Sequence, residues 1–212
     1  LYMGKIELDF RVLGDVGTNC YLLCNQETKE CILIDAPDLP GRIDEMIAAS
    51  GCKLCAVLLT HGHYDHILAA EEVRKRHNVQ VYVSEDEKEL LHSPQMNLSQ
   101  DYGRSTVLDA DVYHKDGAHL SLAGLDIEVF HTPGHTAGGS CYYIAEAGIL
   151  FSGDTLFAAS VGRTDFPTGS MSAIVRSIKG KILVLPDDTK VFPGHGESTS
   201  VAYEKKYNPF LQ

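Results

Sequence analysis

The stretch "THGHYDH", residues 60–66, puts His61, His63, Asp65 and His66 side by side, directly after the apolar run "CAVLLT". Histidine supplies only 10 of 212 residues, so this crowding asks for a shared function. Imidazole and carboxylate together are the donor set zinc prefers, with an open position left for water. A solvated histidine-rich loop is the plainer reading, and the rest of the chain decides between the two. Three more candidate ligands stand where strand-like runs stop: His135 in "HTPGH", Asp154 in "LFSGD" and His195 in "VFPGH". Loops at one edge of a rigid sheet bring such residues together across long sequence separations. Glycines 62, 134, 153, 194 and 196 flank them, and glycine lets backbone approach an ion closely.

The chemistry then divides into two sites. His61, His63 and His135 would form one, and Asp65, His66 and His195 the other. Asp154 would bridge the two ions, with a hydroxide opposite. Two divalent ions outweigh the charge of Asp65, Asp154 and the hydroxide, which suits an anionic tetrahedral intermediate. Ions roughly 3.5–4 Å apart bring the pKa of bound water toward about 7. That makes Asp65 and Asp154 the catalytic candidates as well as ligands. The remaining histidines, 77, 92, 114, 119 and 131, are expected to be ordinary core or surface residues.

The elements that must position these residues are legible in outline. "KIELDFRVL", "NCYLLCN" and "CILIDA" read as strands separated by turns. "LPGRIDEMIAASG" has helical spacing at Ile43, Met46 and Ile47 and closes on Gly51. "KLCAVLLT" reads as a buried strand, "ILAAEEVRKRHN" as an amphipathic helix, and "VQVYVS" as the next strand. The second half is similar. Strands and hairpins occupy "LAGLDIEVFHT" and "SCYYIAEAGILFSGD", and a helix over "SMSAIVRSIKG" is capped by Ser170. "TKVFPGHG" is a last strand, followed by a short helix near "SVAYEKKYN". Two strand-rich halves with helices predict an α/β (α+β) sandwich of two sheets covered by helices. Residues 85–118 read as a long polar connection, a kind that is often functional.

Composition narrows the function. The net charge is −11 and no basic stripe is present, which argues against nucleic acid as a partner. No run approaches the ~18 apolar residues of a membrane span. "LYMGKIELDF" lacks the apolar core of an export signal, so the expected location is cytoplasmic. The six cysteines are accordingly expected to be reduced core thiols, although Cys52 and Cys55 have CxxC spacing.

"THGHYDH", "TPGHTAGGSCYY", "LFSGDTLF" and "VFPGHG" resemble the motifs of the metallo-β-lactamase superfamily. The resemblance is strongest to its glyoxalase II-like branch, the hydroxyacylglutathione hydrolases, and "GRTDFPTGS" and "YNPFLQ" resemble the compact bacterial members. It implies an αββα sandwich of two mixed sheets, with a binuclear site at one edge and residues 1–212 as one domain. It implies the same seven ligands, His61, His63, Asp65, His66, His135, Asp154 and His195, holding two divalent ions, zinc first, with iron or manganese as alternatives. It implies a small-molecule thioester such as S-D-lactoylglutathione as substrate, with Arg163 binding it. The pattern departs at Glu197, where the family has a tyrosine, and at Asp165, where it has an aromatic. No C-terminal helical glutathione-binding domain is expected. Two other activities fit the same motifs: a persulfide dioxygenase with one iron on His61, His135 and Asp154, and a lactonase.

Overall fold

The computed structural model describes residues 1–212. The first sheet has seven strands in sequential order: β1 (Tyr2–Met3), β2 (Ile6–Leu13), β3 (Thr18–Asn25), β4 (Glu30–Ile34), β5 (Lys53–Leu58), β6 (Gln80–Ser84) and β7 (Val112–His114). It is antiparallel as far as β4 and parallel from β4 to β7. The second sheet contains β8 (His119–Leu122), β9 (Leu125–His131), β10 (Ser140–Ile144) and β11 (Ile149–Gly153). After a small hairpin of β12 (Leu156–Phe157) and β13 (Ser160–Val161), it gains β14 (Lys190–Pro193) and β15 (Thr199–Ser200). Its order is β15-β14-β11-β10-β9-β8, with β14 parallel to β11.

Alternation along β3 shows how the layers stack. Every residue of this strand is buried. Cys20, Leu22 and Cys24 face outward, into a core shared with Ile43 and Met46 of α1 (Pro40–Ser50) and the helix that carries Val73. Tyr21 and Leu23 face inward and meet Val129, Tyr142 and Phe151 of the second sheet. The far side of the second sheet, with Cys141, Tyr143 and Leu150, is covered by Ile174, Ile178 and Val201. The result is helix, sheet, sheet, helix: the mixed αββα sandwich the sequence pointed to. No helix is long and apolar enough to cross a membrane.

Two expectations are corrected. The single helix expected over "ILAAEEVRKRHN" is two, α2 (Tyr64–Ile67) and α3 (Ala70–His77). The ladder breaks because its groups bond elsewhere: the carbonyl of His66 accepts from Ala36 N–H (3.0 Å), and Ala69 N–H donates to the Ala36 carbonyl (3.0 Å). The polar connection over 85–118 is also more structured than its composition suggests. It holds a 3₁₀ turn at Glu85–Glu87, α4 (Lys88–Leu91) and the short edge strand β7. Its Asn97 is buried, and the Asn97 carbonyl accepts from Tyr64 N–H at 2.9 Å. The other helices fall where their caps lie. Gly51 closes α1 at φ 65°, while Ser170 and Ser200 cap α5 (Met171–Ser177) and α6 (Val201–Tyr207).

Candidate metal centre

All seven expected ligands meet at one edge of the sandwich. β5 delivers His61 and His63, the first turn of α2 carries Asp65 and His66, and the turn after β9 brings His135. Asp154 follows β11 and His195 follows β14. The ligand atoms form three groups, each within 4.8 Å: His61, His63 and His135; His61, His66 and Asp154; and Asp65, His66 and His195. Asp154 reaches both ends of the cluster. Its Oδ1 lies 3.4 Å from His66 Nε2, and its Oδ2 lies 3.5 Å from His135 Nε2 and 3.4 Å from His195 Nε2. Gly194 is required for this approach, because a Cβ there would sit 2.2 Å from Asp154 Oδ1.

Hydrogen bonds behind the ligands set which ring nitrogen faces inward. His66 Nδ1 donates to Asp35 Oδ2 at 2.8 Å, and Asp35 also accepts from the Thr60 N–H and hydroxyl, both at 2.8 Å. Since that hydroxyl is spent on Asp35, it accepts from His61 Nδ1 at 3.2 Å. His135 Nδ1 donates to the Arg163 carbonyl at 2.8 Å. The Thr18 hydroxyl donates to Asp65 Oδ2 at 2.8 Å. Such partners fix imidazole orientation and raise its basicity as a ligand.

The donor set fits a cation on its own terms. His61 Nε2, His66 Nε2 and Asp154 Oδ1 are buried and have no hydrogen-bond partner, a costly arrangement unless something positive satisfies them. His63 Nδ1 and His135 Nε2 point at one another at 2.9 Å. Electrostatics sorts the groups further. Burial, then the His66 charge, keeps His61 well below the usual imidazole value. Burial and then His135 bring His63 down to about 3. Burial opposes charge on His66, yet Asp65, Asp35 and Asp154 outweigh it and lift His66 well above its ordinary value. For His195 burial is likewise overcome, by Asp154 and Asp65, and its pKa rises to about 10. Burial alone would raise Asp65 and Asp154, but His66 and His195 draw Asp65 down to about 2 and hold Asp154 well below its ordinary value. Both carboxylates are therefore charged at neutral pH.

Arg163 lines the cavity above the cluster, which has a volume of about 410 Å³. Its guanidinium is already engaged. Nε and Nη2 contact the two oxygens of Asp165 at 2.7 and 2.6 Å, and the group lies 4.1 Å over the Phe166 ring. The other histidines stay outside the cluster. His77 and His119 pair with Asp44 and Asp126, His92 pairs with Asp109, and His114 bonds to both Tyr142 and His131. Cys52 packs into the outer core and Cys55 against the core between the sheets, so the CxxC pair does not converge. All six cysteines are free.

Sequence reading missed Asp35, Thr18 and, above all, Glu87. Glu87 is fully buried, and burial raises its pKa despite three hydrogen bonds that favour the anion. Its Oε2 accepts from Gly62 N–H at 2.7 Å and its Oε1 from Gly138 N–H at 2.8 Å. It thus ties the loop of His61 and His63 to the loop that follows His135. In "SEDEKELL" it looks like any acid at a helix start. Only the leucines after it hint that this face is buried.

A sandwich of two mixed sheets carrying a His/Asp cluster at one edge defines a class of metal-binding proteins, and the comparisons name it. The model of the metallo-beta-lactamase superfamily matches residues 13–195, and the chain belongs to that superfamily. It is 35% identical over 201 residues to the probable metallo-hydrolase YqgX of Bacillus subtilis, covering 94% of each chain. It is 34% identical over 196 residues to the hydroxyacylglutathione hydrolase GloC of Haemophilus influenzae, covering 91% of this chain and 92% of that one. Among solved structures, BLEG-1 B3 metallo-beta-lactamase superposes with a TM-score of 0.93 at 36% identity, over 97% of this chain and 100% of the other. TTHA1623 in a di-iron-bound form superposes with a TM-score of 0.85 at 32% identity, over 96% and 100%.

Proposed function

We propose that this chain is a binuclear metallohydrolase that cleaves acyl thioesters. The observation that carries the reading is Asp154, whose two oxygens face opposite halves of a seven-residue donor cluster under an open cavity. His61, His63 and His135 would hold one ion and Asp65, His66 and His195 the other, with Asp154 on both. Zinc suits this set of imidazoles and carboxylates, and iron is the alternative raised by the di-iron form of TTHA1623. Two such ions supply Lewis acidity and turn water into a nucleophile at neutral pH.

The chain's own groups do the remainder. Asp65 Oδ2, held by the Thr18 hydroxyl, is the acceptor that orients the attacking water. The Arg163 carbonyl fixes the His135 ring through Nδ1. The leaving thiolate belongs to a group of pKa near 8.5 in free cysteine, so no dedicated acid is needed to expel it. The likeness to GloC supports a thioester substrate. The test is turnover by zinc-loaded and by iron-loaded protein of four substrate classes: thioesters, lactones, β-lactams and persulfides. Thioester hydrolysis is expected to dominate. Oxygen uptake with a persulfide, without thioester hydrolysis, would replace this reading with the dioxygenase one, and lactone cleavage alone would replace it with a lactonase.

A further inference from the structure

The cavity above the cluster has a polar floor and an apolar wall. The floor is the ligand set itself. The wall is built from Tyr64, Leu98, Tyr102, Phe157, Val161 and Phe166. Tyr102 stacks on Tyr64 with ring centroids 4.5 Å apart and planes 23° from parallel. Phe166 stands edge-on to His63 at 5.6 Å, and Phe157 stands edge-on to His195 at 6.2 Å. Aromatic surface therefore borders the donor cluster on both sides. A group attached to either side of a carbonyl held at the cluster would lie against it, and apolar groups gain most from such burial.

Anions, by contrast, find no unpaired Lys or Arg here. Arg163 is the only Lys or Arg lining the cavity, and Asp165 grips its guanidinium through both carboxylate oxygens. Arg104, two residues after Tyr102 in the chain, is also paired, with Asp38 at 3.3 Å and Asp15 at 3.7 Å. An anionic substrate would have to compete with a bidentate carboxylate two residues away in the chain, the strongest geometry an arginine offers.

We propose that this pocket selects substrates whose groups flanking the scissile carbonyl are apolar or aromatic and uncharged, with Asp165 as the specificity residue that withholds Arg163 from anions. The inference rests on the thioesterase reading for its carbonyl, but its test does not depend on turnover. Two thioethers that cannot be hydrolysed share an S-benzyl group and differ in charge: S-benzyl-N-acetylcysteamine is neutral, and S-benzylglutathione carries two carboxylates and an ammonium. Their affinities for zinc-loaded protein are measured by calorimetry.

The neutral probe is expected to bind about tenfold more tightly, because the carboxylates of S-benzylglutathione lose solvation beside an arginine that is already paired. Tyr102→Ala should weaken it by a similar factor, the scale of a contact with one aromatic wall. Asp165→Ala, and Asp165→Asn with its shape retained, should each lower the neutral-to-anionic affinity ratio roughly fivefold, the scale of one exposed ion pair released. Equal or tighter binding of S-benzylglutathione by the unaltered protein would overturn the proposal, as would a ratio unmoved by both Asp165 variants or failure of both probes to bind. If the order of affinities holds while no thioester is hydrolysed, the pocket chemistry stands and the thioesterase reading falls.

Discussion

Asp154 and Asp65 are both carboxylates of the cluster, and their replacements should fail differently. Asp154 reaches donor atoms at both ends, so Asp154→Ala is expected to lower the affinity of both metal sites together, seen as loss of both equivalents in a metal titration. Within the cluster, Asp65 approaches His66 and His195 at one end. Asp65→Asn is expected to lower kcat by about 10²-fold while leaving KM close to its original value, because an interaction confined to the transition state is lost. A matched rise in KM would instead assign Asp65 to ground-state binding. At this scale the sequence was highly legible. The candidate ligands are recognisable because five histidines and two aspartates stop at strand ends beside glycines. Asp35, Thr18 and Glu87 were not, because a buried carboxylate or hydroxyl carries no local mark of what will fold against it.

Elements bring the ligand loops together, and Glu87 joins two of them. Its residue lies in the 3₁₀ turn before α4, and its two oxygens hold Gly62 and Gly138. The close packing leaves no room for substitution at Gly62, where a Cβ would stand 2.8 Å from Leu90 and 2.9 Å from Leu91. Glu87→Ala is expected to leave two buried N–H groups unpaired, at about 1–3 kcal/mol each. The ligand loop would then loosen, and both metal affinity and kcat should fall. Glu87→Gln retains one acceptor oxygen and should recover part of the metal affinity. If Glu87→Ala changed thermal stability alone, with metal binding and kcat intact, the residue would be structural only. The strands and the capped helices were readable from period and punctuation. The break between α2 and α3 was not, because it depends on Ala36, 30 residues upstream of His66, capturing backbone groups. Strand β7 escaped notice because three residues, "VYH", carry too little pattern to stand out from a polar connection.

For the whole molecule, the core between the sheets contains a titratable element that should govern acid stability. The Tyr142 hydroxyl donates to the Leu59 carbonyl at 2.7 Å and accepts from His114 Nε2 at 2.9 Å. Burial, then the charge of His131, brings His114 down to about 4 from an ordinary 6.5. Between those values the unfolded chain takes up a proton that the folded chain refuses. Stability contributed by neutral His114 is therefore complete above about pH 6.5 and drains away as pH falls toward 4, by at most ~1.4 kcal/mol per pH unit. In urea titrations of metal-free protein, the stability gap between wild type and His114→Gln should narrow as pH falls from 7 to 4.5. A gap constant across that range would mean that His114 titrates alike in the folded and unfolded chain, and a widening one that it is charged when folded. The layered architecture was legible because strand runs alternate with helical periods in both halves of the chain. Substrate preference was not, because the aromatic wall draws on Tyr64, Tyr102 and Phe166, which no local pattern connects.

The central claim is that two ions on one cluster hydrolyse a thioester, and a metal-equivalents titration of activity tests it most directly. Metal-free protein is given increasing zinc, and thioester hydrolysis is followed together with bound metal. The account predicts that the rate climbs through the second equivalent and levels off at about two ions per chain, as expected for a two-metal site. Saturation at a single equivalent of iron, with oxygen consumed in the presence of a persulfide and no thioester cleaved under any metal loading, would contradict it.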